Sequence, residues 1–70
     1  MLDRYLLKKT MREHNDTQAG LAEALGLDAS TVSRKINETR NSAFTVPELY
    51  AIQKRYKLSC KQVTAIFFGE

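Results

Sequence analysis

The sequence contains one cysteine, one proline, one histidine, three glycines and no tryptophan. Cys60 has no second thiol with which to form an internal disulfide, and Cys60 with His14 is too small a set for a structural zinc site. No apolar run approaches the roughly 18 residues of a membrane-spanning helix. The first residues also lack the basic-then-apolar pattern of a signal peptide. We therefore expect a cytoplasmic protein with no metal, no disulfide and no membrane partner.

The chain has 70 residues, which is enough for one domain, so we expect a single domain spanning 1–70. Its 43% hydrophobic and 27% charged residues are typical of a globular domain and not of a disordered tail. The formal net charge of +3 favours an anionic partner. The basic residues are spread along the chain, so folding must assemble any basic surface.

Arrangements typical of enzymes are missing. The carboxylates are scattered, and Ser30 and Ser33 have no histidine at a suitable position to act as their base. No glycine-rich loop that would bind phosphate is present. We therefore expect no enzymatic activity, no cofactor and no small-molecule ligand. We interpret Cys60 as a partly buried structural thiol and His14 as a helix-terminal residue.

The hydrophobic periodicity is helical almost throughout and predicts five short helices, an all-α fold. Helix 1 runs from about Leu2 to His14, and the polar stretch 14–16 ends it. Thr17 is a favourable N-cap for helix 2. The predicted inward residues of the two helices are Leu6, Leu7, Thr10, Met11, Leu21, Ala22 and Leu25.

A short turn is predicted between helices 2 and 3. Gly26 can adopt the left-handed conformation at the end of helix 2, and Leu27 is expected to pack into the turn. Asp28 is the expected N-cap of helix 3. Val32 and Ile36, four residues apart, are predicted to point into the core.

Two capping boxes predict the last two helices. Thr45 with Glu48, and Ser59 with Gln62, have the required spacing, and Pro47 suits the first turn of helix 4. The core residues predicted for this half are Phe44, Leu49, Ile52, Tyr56, Leu58, Val63, Ile66 and Phe67.

The segment 18–37 has the features of a helix-turn-helix. Ala22 is small enough for a second helix to cross close by, Gly26 permits a sharp turn, and Val32 fills the space between the helices. Such a pair packs at a steep angle and leaves its second helix protruding from the surface.

This segment resembles the helix-turn-helix of Cro and repressor proteins from temperate phages. The matching positions are Gln18, Ala22, Gly26, Val32 and Asn37. The stretches 44–45, 58–59 and 66–68 are similar to the last two helices of small Cro/repressor-type regulators, so the resemblance covers nearly the whole chain. Helix 1 matches least well, because Thr10 and Met11 stand where leucine and arginine are expected. The resemblance implies a compact five-helix lambda-repressor-like domain.

The resemblance also implies roles for individual residues. Helix 3, 29–37, is expected to enter the major groove of double-stranded DNA, with Arg34 as the candidate for a bidentate contact to guanine. The implied base contacts are Ala29, Ser30, Ser33 and Arg34. The implied phosphate contacts are Gln18, Asn37 and Arg40, and Lys35 is expected to meet phosphate or solvent. Alternatively, Arg34 and Lys35 form a solvated helix face, Asn37 only ends helix 3 and Gln18 is only a favourable first-turn residue.

The expected function is transcriptional regulation, by a Cro-like repressor of a phage or prophage that binds a palindromic operator. A repressor fragment and an antitoxin-type regulator with the same motif are equally compatible with the sequence. The alternative from another class is an antirepressor-like protein-interaction module that has kept the scaffold without binding DNA.

The C-terminal run 66–68 predicts an exposed aromatic residue. One helix cannot turn all three side chains into one small core, so Phe68 is expected near the surface. Exposed apolar side chains often mark an interface. We expect Phe68, with Thr64 and Tyr50, to contribute to a homodimer; the alternative is that Phe68 folds against its own domain.

Overall fold

The computed structural model describes residues 2–38 and 42–68. Within these ranges the chain forms helices and no β-strand, which confirms the predicted all-α fold. The helices are α1 (Arg4–Glu13), α2 (Gln18–Leu25), α3 (Ala29–Asn37), α4 (Val46–Tyr56) and α5 (Cys60–Phe67). Arg40, a predicted phosphate contact, lies outside the described residues.

Polar side chains begin four of the helices by accepting a hydrogen bond from the first turn. Thr17 accepts from the backbone N–H of Gly20, as predicted. Both predicted capping boxes, at Thr45 and at Ser59, are present with their reciprocal hydrogen bonds. Asp3 accepts from the N–H of Leu6, so α1 begins two residues later than the sequence predicted.

Asp28 corrects the sequence prediction for α3. It occupies the N-cap position with an extended backbone, and its carbonyl accepts the N–H of Val32 at 3.0 Å. Its side chain, however, forms no capping hydrogen bond. The carboxylate therefore favours α3 only through the positive end of the helix dipole.

Three helices end in the same backbone motif. Asn15, Gly26 and Lys57 have positive φ angles of 53°, 71° and 53°. The residue after each returns its N–H to a carbonyl of the last turn, as in the 2.8 Å bond from Leu27 to Ala22. This is the Schellman arrangement, in which a left-handed residue satisfies the last carbonyls and turns the chain. The prediction for Gly26 is confirmed, whereas Asn15 and Lys57 adopt the conformation without being glycine.

The core is a single cluster to which every helix contributes. Its buried apolar members are Leu7, Met11, Leu21, Ala22, Val32, Ile36, Ile52, Tyr56, Leu58, Ile66 and Phe67. Thr10 is also buried, and its hydroxyl donates to the carbonyl of Leu6 at 2.9 Å, so no polar group is left unsatisfied there.

Some predicted core residues lie only at the edge of this cluster. Those that are half-buried against it include Leu6, Leu25, Leu27, Phe44, Leu49 and Val63. A chain of this length has too little interior to enclose every apolar side chain. α2 packs against α3 and α4, and α1 packs against α5. The 2.6 Å bond from the Asp3 N–H to the Ile66 carbonyl joins the start of α1 to the end of α5.

We expect Gly26→Ala to destabilise the protein by about 1 kcal/mol, because a Cβ at a positive φ is strained whatever space surrounds it. No atom lies within 4 Å of the Cβ position, so backbone strain is the only cost. Lys57→Gly is the matched reverse change at an equivalent helix end and is expected to stabilise by a similar amount. Urea denaturation measures the free energy of unfolding of both variants. A Gly26→Ala protein as stable as the wild type would contradict the expectation.

Candidate nucleic-acid interface

α2 and α3 are joined by a three-residue turn and share the core. Leu21 and Ala22 of α2 and Val32 and Ile36 of α3 are all buried. Because Val32 and Ile36 are four residues apart, they place one side of α3 inward. The other side of α3 is then turned away from the core.

The residues predicted to contact bases lie on accessible parts of α3. Ala29 and Ser30, in its first turn, are exposed. Ser33 and Arg34 are half-buried. Since Ser30 and Arg34 are one turn apart, they share the outward side. None of the four is buried.

Arg34 is held along its own helix. Its Nη2 donates to the hydroxyl of Thr31 at 3.2 Å. Thr31 is half-buried and was not among the predicted site residues. The sequence indicates this contact only through the spacing of three residues between Thr31 and Arg34, because side chains three apart are neighbours on a helix.

Asn37, a predicted phosphate contact, makes a contact within α3. Its Nδ2 donates to the carbonyl of Ser33 at 2.9 Å, and Asn37 is the last residue of the helix. The amide therefore bonds back to a carbonyl one turn earlier on its own helix, and its assignment to phosphate stays a prediction.

Lys35 joins α3 to the segment before α4 and to α4 itself. Its Nζ donates to the carbonyl of Ala43 at 2.9 Å and to Oε1 of Glu48 at 3.1 Å. Burial raises the pKa of Glu48, but the backbone N–H of Thr45 and the Lys35 ammonium outweigh it and hold that pKa below its ordinary value. The Lys35 ammonium is bound inside the protein, which differs from its predicted position against phosphate or solvent.

Gln18 is the first residue of α2 and lines a shallow groove with basic residues. The groove is lined by Lys8, Met11, Arg12, Asp16, Thr17 and Gln18. Lys8 and Arg12 are one turn apart on α1, which brings two positive charges beside the start of α2. Between the described residues the ion pairs are Lys35–Glu48 and Arg55–Asp16, so neither Lys8 nor Arg12 is paired with an acid there.

The Asp16 carboxylate is the most heavily bonded polar group of this region, and its side chain is 9% exposed. It accepts from Nε of Arg55 at 2.8 Å, from Nη2 of Arg55 at 3.0 Å, from the hydroxyl of Tyr56 and from the N–H of Thr17 at 2.9 Å. The bonds from Arg55 lower the pKa of Asp16 to about 2, against the opposing effect of burial. Burial and the neighbouring carboxylate raise the pKa of Tyr56.

The aromatic residues predicted at a dimer interface are exposed, but they line different grooves. Phe68 is 56% exposed, as predicted, and lies in a groove that includes Phe44, Leu49 and Phe67. Tyr50 is 68% exposed and lies in a groove with Gln53, Lys54, Lys57 and Leu58. Thr64 is half-buried and donates its hydroxyl to the carbonyl of Cys60.

Cys60 corrects another prediction. It is exposed, not partly buried, because it is the first residue of α5 and lies just outside the core. Across residues 2–38 and 42–68, no group of three or more His, Cys, Asp or Glu side chains is placed to hold a metal ion. No helix in these ranges has the length and apolar character needed to cross a membrane.

Comparison with protein-family models, with curated proteins and with solved structures gave no match.

We expect protonation of Asp16 to destabilise the fold. The pKa of this carboxyl is about 2 in the folded protein against an ordinary value of 3.8. Because the pKa of Asp16 is lower in the folded protein, the ionised carboxylate stabilises the fold. This stabilisation is complete at a pH above the ordinary pKa and is lost as the pH falls through the pKa of the folded protein. The loss is on the order of 1–2 kcal/mol after allowance for the solvent around Arg55.

Urea denaturation at about pH 5 and about pH 2 measures this loss. Glu48, whose pKa is also lowered, contributes in the same direction, so the comparison with Asp16→Asn isolates the contribution of Asp16. We expect a smaller pH dependence in that variant. An equal pH dependence in both proteins would refute the assignment.

Proposed function

We propose that the protein is a sequence-specific transcriptional regulator that binds double-stranded DNA, with α3 as the helix that enters the major groove. The observation that carries the proposal is the two-sided character of α3. Val32 and Ile36 anchor its inner side in the core, while Ser30 and Arg34 lie on its accessible side. By its resemblance to phage Cro and repressor proteins, the proposed target is a palindromic operator.

Base reading is assigned chiefly to Arg34. A guanidinium can donate two parallel hydrogen bonds to O6 and N7 of guanine, which is worth about 1–3 kcal/mol of discrimination. In the absence of DNA, Nη2 of Arg34 donates to the hydroxyl of Thr31 on the same helix. Ser30 and Ser33 are short and both donate and accept, so they discriminate weakly. Ala29 is suited to contact with a thymine methyl group.

Phosphate contacts are assigned to the start of α2. The first N–H groups of a helix have no partner within the helix, and the dipole favours an anion there. Gln18 lies at this position, with the charges of Lys8 and Arg12 in the same groove. Asn37 and Arg40 are proposed contacts to the DNA backbone on the other side of the groove. We leave Lys35 out because its ammonium is bound to Glu48 and Ala43.

A homodimer on the operator is part of the proposal. It would place two copies of α3 about 34 Å apart in successive major grooves. The exposed ring of Phe68 is the apolar group best suited to a symmetric contact, with Tyr50 and Thr64 as further candidates.

The alternative is a protein-interaction module of antirepressor type on the same scaffold. Two observations favour it: Arg34 is the one long basic side chain on the outward side of α3 within the described residues, and Val46, Tyr50 and Phe68 are exposed apolar groups. The charges of Lys8 and Arg12 beside Gln18 favour DNA binding instead.

Selection of bound sites from random duplexes, followed by titration of the selected site at several salt concentrations, separates the two functions. A DNA-binding protein releases counterions, so log K falls against log salt with a slope of about −0.9 for each phosphate neutralised. We expect a palindromic site and a steep negative slope. The absence of an enriched sequence, with no binding at low salt, would favour the interaction module.

Arg34→Ala is expected to weaken binding to the selected site and to relax preference at one base position. Gln18→Ala is expected to lower affinity with little change in preference, because a phosphate contact carries no base identity. Competition binding against single-base variants of the site measures both effects. Arg34→Lys is the matched control: it keeps the charge but loses the bidentate geometry, so preference falls more than affinity. An Arg34→Ala protein with unchanged affinity and preference would disprove this assignment.

Sedimentation of the protein with and without operator DNA tests the dimer. We expect two chains per operator in the wild type and weaker, less cooperative binding for Phe68→Ser. Tyr5→Ser is the control, since it removes an exposed aromatic ring from α1. A wild-type protein that remains monomeric in both conditions would remove the dimer from the proposal.

A further inference from the structure

The chain between α1 and α2 is held by groups from α4. Asp16 follows the left-handed Asn15 and directly precedes Thr17, the N-cap of α2. Its backbone N–H donates to the carbonyl of Met11 at 2.8 Å, which fixes it to the end of α1. Its carboxylate accepts hydrogen bonds from Arg55 and Tyr56, the last two residues of α4. Asp16 is thus the point at which three helices meet.

The same carboxylate also sets the first turn of α2. Oδ1 of Asp16 accepts from the N–H of Thr17, and the Thr17 hydroxyl accepts from the N–H of Gly20. Gln18 lies between these two bonded positions. A displacement of the Asp16 carboxylate therefore displaces the residues on both sides of Gln18.

Gly20 provides the space that this arrangement requires. A Cβ at position 20 would lie 2.5 Å from Oδ1 of Asp16, which is closer than two such atoms can approach. A larger residue at position 20 would push the carboxylate away from Arg55 or move the start of α2. The absence of a side chain at Gly20 is thus part of the same arrangement.

We propose that Asp16, held by Arg55 and Tyr56, is a positioning residue for DNA binding: it fixes the start of α2 so that Gln18 and the adjacent N–H groups meet a phosphate. This inference rests on the proposed function. It assigns to α4, which contains none of the residues proposed to contact DNA, a role in affinity.

The negative charge of Asp16 separates a positioning role from a purely electrostatic one, because the two predict opposite effects of its removal on DNA binding. Asp16 lines the same groove as Lys8, Arg12 and Gln18, and a negative charge there repels a phosphate. If Asp16 had no positioning role, its neutralisation would strengthen DNA binding. The positioning role predicts the opposite sign.

Tyr56→Phe is the cleanest test because it changes no charge and cannot remove a contact to DNA. Tyr56 is 3% exposed, and the variant keeps both its ring in the core and the Arg55–Asp16 pair, so the fold is retained. We expect binding to the selected operator to weaken about three- to tenfold, which corresponds to the typical net contribution of one hydrogen bond. Tyr5→Phe is the matched control: it removes the same hydroxyl from an exposed tyrosine of α1 that has no assigned contact to DNA or to a second chain, and it is expected to bind as the wild type does.

Asp16→Asn is the second variant, assayed at a temperature where circular dichroism shows it fully folded. We expect weaker binding with the same order of preference among single-base variants of the site. Its effect is expected to shrink when Gln18→Ala is already present, because two residues that act through one contact are not additive. A purely structural role would leave the two effects additive.

The outcomes distinguish the inference from the function on which it rests. If the wild type binds no duplex, the proposed function fails. If the wild type binds DNA but Tyr56→Phe binds equally well, the positioning role is refuted. The same holds if a folded Asp16→Asn protein binds more tightly than the wild type. If Asp16→Asn does not fold, Tyr56→Phe alone decides.

Discussion

The burial of one side of α3 against α2 is the constraint on which the remaining structure depends. Val32 and Ile36 supply that side, and Leu21 and Ala22 receive it in the core. The larger of these side chains, Leu21, Val32 and Ile36, each contribute about 1.5–3 kcal/mol relative to an exposed one. The outward side of α3 is accessible only because its inner side is fixed. Apolar contacts have no preferred direction. Other groups are therefore needed to fix how the helices are rotated and shifted relative to one another.

Two ion pairs, each only partly shielded from solvent, supply the direction that the core lacks. Lys35 and Glu48 join α3 to α4, and Asp16 and Arg55 join the start of α2 to the end of α4. Thus α4 is joined by one ion pair to α3 and by the other to the residue before the N-cap of α2. Each pair is neutral, because Glu48 balances Lys35 and Asp16 balances Arg55, so the net charge of +3 comes from the other residues. The charge left for an anionic partner is placed by folding and includes Lys8 and Arg12 beside Gln18.

The features that were predictable from the sequence are those determined by residues close together in the chain. The boxes at Thr45 and Ser59 form between residues three apart, and the left-handed Gly26 needs only its own backbone freedom. The side-chain cap predicted at Asp28 does not form, because an aspartate at the N-cap can accept a hydrogen bond from the first turn of the helix but need not do so. Asp16 and Arg55 lie 39 residues apart in the chain, and nothing local pairs them. The same is true of Lys35 and Glu48, so the position of Lys35 beside the predicted reading face gives no sign of this pair.

Side-chain length explains why the long-range contacts matter for the proposed function. Ser30 and Ser33 are short, so their hydroxyls reach a base edge only if α3 lies deep in the groove at a fixed angle. A long, flexible side chain such as that of Arg34 tolerates a shift of the helix, whereas a serine does not. Because most of the proposed base-contacting side chains of α3 are short, their contacts would depend on the exact position of the helix more than on side-chain length. In the proposed complex, specificity and affinity would depend on the residues that hold α2 and α3 in place as well as on those that contact DNA.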